Sequence, residues 1–148
     1  MLSRVAESLY WISRYIERTD GMLRMLKINY AASQDSITEF SWSPVISIFC
    51  GPDTEGFDEQ FNSRVILQYM VTDKNNPNSI VNIITQVREN ARSVQDHITK
   101  DVWQCLNEFY HSIKEEQLNS ALLKEDPITI LDDLIKQAPD VRRYSLVL

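Results

Sequence analysis

At 148 residues, with 43% hydrophobic and 24% charged side chains, the chain fits one folded domain that needs neither disulfide nor metal to close its core. The net charge of −6 speaks against a nucleic-acid scaffold, which would show a basic stripe. Three glycines are few for a fold built on tight β-turns, and no apolar run approaches the roughly 20 residues of a membrane span.

Met1-Leu2-Ser3-Arg4 leads directly into an amphipathic pattern with acidic residues, unlike a signal peptide. Val5, Leu9, Ile12, Ile16, Thr19, Leu23, Leu26 and Tyr30 recur at spacings of four and three, which predicts one long helix with Ser3 as its N-cap. Trp11, Tyr15, Met22 and Met25 widen its apolar surface beyond one seam, so self-association is expected as well as packing. Gly21 lies inside this helix and implies a close helix crossing, a bound group or simple tolerance.

Residues 33–43 read as a connection. Ser43-Pro44 reads as an N-cap followed by proline at the first helical position, and Gly51 as the stop of a short buried helix. The stretch 52–56 is a loop, and Asn62 or Ser63 opens another short helix through Met70. Asp73-Lys74-Asn75-Asn76-Pro77-Asn78 is a break. Asn78 or Ser79 opens a second long helix, whose stripe is Ile80, Ile84, Val87, Ala91, Val94 and Ile98. Thr99 caps a fresh helix or marks a bend, and Val102, Leu106, Phe109 and Ile113 carry the next stripe. Asp126-Pro127 starts the last helix, which Pro139 ends. The expected fold is all-α: one domain over residues 1–148, a helical bundle of two or three long antiparallel helices supported by several short ones.

Few constellations carry chemistry. A di-metal bundle site needs two Glu-x-x-His pairs, and only Glu108 to His111 supplies one; no metal or other cofactor is expected. Cys105 and His111 are six residues apart and do not share a helix face. Cys50 and Cys105 both lie in apolar stretches, as free thiols of a cytoplasmic protein would. Charge is unevenly spread: five cations against three carboxylates in residues 1–32 make that segment basic in an acidic chain.

Two Glu–Arg clusters remain. Arg14, Glu17 and Arg18 share one patch of the first helix, and Arg88, Glu89 and Arg92 lie on the second long helix. One reading pairs them, with Glu17 facing Arg88 or Arg92 and Glu89 facing Arg18 or Arg14, so that they fix helix register. The other reading makes them a pocket between the long helices that holds a carboxylate or phosphate on its arginines.

Met1 to Ile12 followed by Arg14-Tyr15-Ile16-Glu17-Arg18, then Asn76-Pro77-Asn78-Ser79-Ile80, Arg88-Glu89-Asn90-Ala91-Arg92, Trp103 and Leu106-Asn107, resemble the bacterial alpha-E domain family in order and spacing over roughly residues 1–111. The resemblance implies an all-helical domain marked by a Glu–Arg motif, here Glu17-Arg18 and the Arg88–Arg92 run. Members of the family resemble components encoded beside circularly permuted ATP-grasp ligases and transglutaminase-like proteins. A non-catalytic helical partner of such an amide-forming, peptide-modifying system is therefore the expected function, with an ATP-grasp-type ligase or transglutaminase-like protein as partner. The alternative is an enzyme or ligand-binding subunit that uses the Glu/Arg cluster. Family members usually carry a second, similar helical half, so this chain is expected to correspond to the first half.

Overall fold

The four–three spacing of apolar residues produces helices throughout the computed structural model, which describes residues 2–35, 40–51 and 62–139. They are α1 (Leu2–Gln34), α2 (Ser43–Cys50), α3 (Ser63–Val71), α4 (Ile80–Ser93), α5 (Lys100–Asn119), α6 (Ala121–Lys124) and α7 (Pro127–Gln137). The expected loop at 52–56 and the stretch after Pro139 lie outside the described residues.

Capping side chains set most of the starts. Asn62, Ser79, Thr99 and Asp126 each accept a backbone N–H from the first turn of α3, α4, α5 and α7. Two of the expected caps are displaced. Ser3 lies within α1, which already begins at Leu2. Ser43 is the first residue of α2, and the cap position belongs to Trp42, which makes no side-chain cap bond. The second long helix is also shorter than its apolar stripe suggests. Val94 leaves helical geometry, a 3₁₀ turn covers Gln95–His97, and Thr99 caps α5 afresh. The two longest helices are thus α1, with 33 residues, and α5, with 20, whereas α4, which bears the second cluster, has 14.

Helices α1, α4, α5 and α7 pack as a ring of neighbours: α1 on α4, α4 on α5, α5 on α7 and α7 on α1. Tying contacts give their directions. Ser63 donates to Ser33 near the end of α1, and Arg18 reaches Asn78 just before α4, so the chain through α3 into α4 runs against α1. Gln117 meets Thr72 while Asn107 meets Arg88, so α5 runs against α4. Arg64, beside Ser63, reaches the Glu125 carbonyl, and Lys27 pairs with Asp132, so α7 also runs against α1. This is an up-and-down four-helix arrangement with α2, α3 and α6 as supports.

The core takes the expected stripes. Ile12, Ile16, Thr19, Leu23, Leu26 and Tyr30 are buried on α1 and are joined by Met22, while Val5 and Leu9 pack half-buried at its start. Ile80, Ile84, Val87 and Ala91 face them from α4, and Val102, Leu106, Phe109 and Ile113 from α5. Gly21 proves to be tolerance: it is exposed, and an added Cβ would meet nothing within 4 Å. Among the described residues one carboxylate is buried. Glu116 accepts the Leu122 N–H at 2.8 Å where the chain turns through left-handed Ser120 into α6, and burial raises its pKa.

Two outcomes follow. Gly21→Ala should stabilise the fold by about 0.5–1 kcal/mol, because alanine costs less backbone entropy in a helix and has room here; equilibrium urea unfolding measures it, and a loss of stability would show hidden crowding. Glu116, with its raised folded pKa, holds its proton to higher pH in the folded than in the unfolded state. Its contribution is greatest below the unfolded carboxylate range of about 4.3 and falls as pH rises through the folded value. Glu116→Gln keeps the acceptor oxygen without the charge, so its melting temperature should exceed that of the wild type at neutral pH and converge with it below about pH 4. Parallel curves at all pH values would show that Glu116 does not titrate differently on folding.

Candidate functional site

Helical spacing alone brings Trp11, Arg14, Tyr15, Glu17 and Arg18 together on α1. Their side chains line a cleft of about 340 Å³. Tyr10 and Trp11 are 56% and 43% exposed, far more than aromatic rings inside a bundle. Trp11 lies edge-on to Tyr10 at 5.3 Å and stacks on Tyr15 at 5.7 Å with 30° between the planes.

Tyr15 packs half-buried against the core, and Arg18 is the member of this group that hydrogen-bonds to other elements among the described residues. Its Nη2 donates to the Phe49 carbonyl at 2.6 Å and to Asn78 Oδ1 at 3.3 Å. Phe49 sits in the last turn of α2, where carbonyls lack helical donors and a cation is favoured. Asn78 is held in turn by the Asp73–Asn78 break. Asn76 Oδ1 accepts the Asn78 N–H at 3.0 Å, Asn76 Nδ2 donates to the Tyr69 carbonyl, and Asn82 Nδ2 donates to the Asn76 carbonyl at 2.7 Å. That break in the chain is therefore a knotted asparagine turn, and it fixes the height at which Arg18 meets α4.

Arg18 is nonetheless incompletely satisfied. Among the described residues, the buried side-chain polar atoms without a hydrogen-bond partner are Arg18 Nε and Thr19 Oγ1, on consecutive residues. Such atoms are rare in folded proteins; Thr19 lies in the buried stripe of α1, whereas Arg18 lines the cleft. No ion pair within 4 Å joins Arg14, Glu17 or Arg18 to a described residue.

The second cluster is built differently. Arg88 donates through Nε to Asn107 Oδ1 at 2.9 Å and lies 4.4 Å from the Tyr110 ring centre and 6.0 Å from that of Trp103. Trp103, Asn107 and Tyr110 share a face of α5 at helical spacing, and together they receive the guanidinium. Glu89 stands 3.9 Å from Arg88 and 3.7 Å from Arg92, with Glu89 and Arg92 both about half exposed, so these contacts add little.

Among the described residues the expected pairing between the clusters is not formed, and the cleft at Arg14, Glu17 and Arg18 is not lined by Arg88, Glu89 or Arg92. Asn78 is level with Arg18, and Arg88 lies ten residues further along α4, roughly 15 Å up the axis toward the start of α1. Glu17 and Arg18 cannot span that offset, and Arg14, one turn nearer, forms no ion pair within 4 Å with Glu89. The structure brings Arg14, Glu17 and Arg18 together and sets Arg88, Glu89 and Arg92 apart from them. The partners Asn76, Asn78 and Asn107 were not among the expected site residues. The signals for them were the family resemblance, which includes Asn76-Pro77-Asn78 and Leu106-Asn107, and, for Asn107, its place between Trp103 and Tyr110 on one helix face.

The thiols are not activated. Burial raises the pKa of Cys50, against smaller lowering effects from its Asn76 contact and the Arg18 charge, and burial also raises Cys105. Among the described residues no three His, Cys, Asp or Glu side chains gather as metal ligands, and His97 and His111 are exposed.

With this geometry in hand, the comparison with known families is specific. A family model described as a predicted alpha-helical domain with a conserved ER motif, Alpha-E, matches residues 1–142. The chain belongs to the Alpha-E family, and the match extends past the resemblance visible over residues 1–111 to include α7. No curated protein and no solved structure matches the chain.

The contrast between the two arginines is measurable. Arg88→Ala should cost about 2 kcal/mol, the sum of a charged hydrogen bond and a ring contact. Arg88→Lys should recover less than half, because an ammonium lacks the planar edge that meets Asn107. Chemical denaturation of the three proteins tests this; an alanine variant as stable as the wild type would mean the Arg88 cage holds nothing together.

Proposed function

We propose that this Alpha-E chain is a docking subunit of an amide-forming, peptide-modifying system, with an ATP-grasp-type ligase or a transglutaminase-like protein as its partner and the catalysis residing in that partner. The observation that supports the reading is the outer face of α1, where the exposed, mutually packed rings of Tyr10 and Trp11 stand beside Arg14 and Glu17. Tyrosine, tryptophan and arginine are the side chains that most often dominate the energy of protein interfaces. Rings of this kind supply large contact area with few rotatable bonds, and they lose little entropy when covered. The bundle core does not use these rings, so they can be covered without unfolding anything. The kind of partner comes from the family resemblance. The reading sets the chain in the cytoplasm, where Cys50 and Cys105 stay as free thiols.

The test is affinity capture with the full chain in its native host, followed by titration against the recovered ligase or transglutaminase-like protein. Trp11→Ala should weaken binding by about 2 kcal/mol, roughly thirtyfold, with the melting temperature nearly unchanged. The reading fails if neither class of partner is recovered, or if a recovered partner binds the Trp11→Ala chain as tightly as the wild type.

A further inference from the structure

We infer that the Arg14–Arg18 cleft is a receptor for one carboxylate, the free C-terminus of a peptide. The location rests on the docking reading above, since the same face of α1 is used; the choice of ligand rests on charge and on unsatisfied donors.

Arg14 and Arg18 are one helical turn apart and line the same cleft. Like charges at that spacing repel. Neither has a carboxylate within 4 Å among the described residues, although Glu17 lies in the same cleft and within reach along the helix. The acceptors that Arg18 does have, the Phe49 carbonyl and the Asn78 amide oxygen, are neutral. They hold the guanidinium by one nitrogen without cancelling its charge. Burying part of a cation with neutral partners alone is unfavourable, and an incoming anion reverses that. The Nε of the same guanidinium is buried without a hydrogen-bond partner among the described residues, so the charge is only partly compensated from within the fold.

The net charge selects among anions. Two arginines and one glutamate leave the cleft at +1, which a carboxylate monoanion neutralises. A phosphate dianion would overshoot and would face Glu17. The space beside the charge is aromatic, since Trp11 and Tyr15 stack to form a platform for the apolar side chain next to a chain terminus. At about 340 Å³ the cleft lies at the small end of ligand-site volumes, sized for the last residue or two of a peptide and not for a nucleotide. Arg18, already oriented by Phe49 and Asn78, meets the ligand with little ordering left to do.

Calorimetric titration of the full chain decides the matter, using a short peptide that ends in phenylalanine with a free carboxylate, the same peptide as its C-terminal amide, and inorganic phosphate. The free acid should bind at least about tenfold more tightly than the amide, as loss of a charged hydrogen bond implies. Phosphate should not compete at matched ionic strength. Arg18→Gln also cuts the ties to Phe49 and Asn78, so the decisive variant is Arg14→Gln, on an exposed residue with no structural contact. It should remove about tenfold of the acid's affinity, leave the amide's unchanged and melt like the wild type. Equal binding of acid and amide, displacement by phosphate, or undiminished discrimination in Arg14→Gln overturns the inference. If discrimination fails while Trp11-dependent capture of the partner persists, the carboxylate receptor falls and the docking subunit stands. If the acid binds but no partner is captured, the docking reading falls alone.

Discussion

The bond from Arg18 to the end of α2 and the start of α4 ties three elements that the apolar packing alone would leave free to slide. Hydrophobic stripes fix which faces of two helices meet, but a helix turned by its neighbour's ridges can settle one turn higher or lower at modest cost. A single guanidinium that must reach both the Phe49 carbonyl and Asn78 removes that freedom, because both acceptors are immobile. The first lies in the C-terminal turn of α2, and the second belongs to a turn whose backbone is hydrogen-bonded by the Asn76 and Asn82 side chains. Once Asn78 is placed against Arg18, the capping Ser79 places α4, and α4 places α5 through Arg88 and Asn107.

The two Glu–Arg clusters, alike in sequence, are therefore opposite in kind. Arg88 has an amide oxygen at its Nε and a ring beneath its plane; its charge is used within the fold. Arg18 has neutral acceptors on one nitrogen and a buried donor with nothing to bond. The difference comes from the neighbouring helix. Facing Arg88, α5 presents Asn107 and Tyr110. Facing Arg18, the described residues present the C-terminal end of α2 and the asparagine turn, which offer it a carbonyl and an amide oxygen, with no carboxylate within 4 Å among the described residues.

Legibility in the sequence divided along the same line. The helices were readable because their signals are local: the four–three apolar spacing of α1, the side-chain caps Asn62, Ser79 and Thr99, and the Asp126-Pro127 start. The membership of the α1 cluster was readable for the same reason, since residues three and four apart on a helix must meet. What failed was everything that depends on register. The stripe through Val94 and Ile98 kept its spacing although the backbone breaks there, because Thr99 caps a new helix and both side chains still reach the core. The expected salt bridges between the clusters obeyed charge complementarity and ignored height. Opposite charges on packed helices pair only if the helices place them level, and the level is set by Asn78, an uncharged residue that the sequence marks as a break, a helix start and part of the family resemblance but not as a partner of Arg18.

That offset bears on how a Glu–Arg pair can mark a family. If Glu17 and Arg18 served only as partners for each other or for α4, either could be exchanged in sign with its partner and the fold would remain. Here they point to different tasks from adjacent positions. Arg18 turns inward to fasten α2 and α4, whereas Glu17 remains exposed at the mouth of the cleft with no described ion pair. A sign exchange would bury a carboxylate against the Phe49 carbonyl and Asn78, placing negative charge against acceptor oxygen, and would leave an arginine where the cleft now has its one acid. The order glutamate-then-arginine is thus fixed by geometry. Arginine at position 18 is required by the acceptors it meets inside, the Phe49 carbonyl and Asn78 Oδ1.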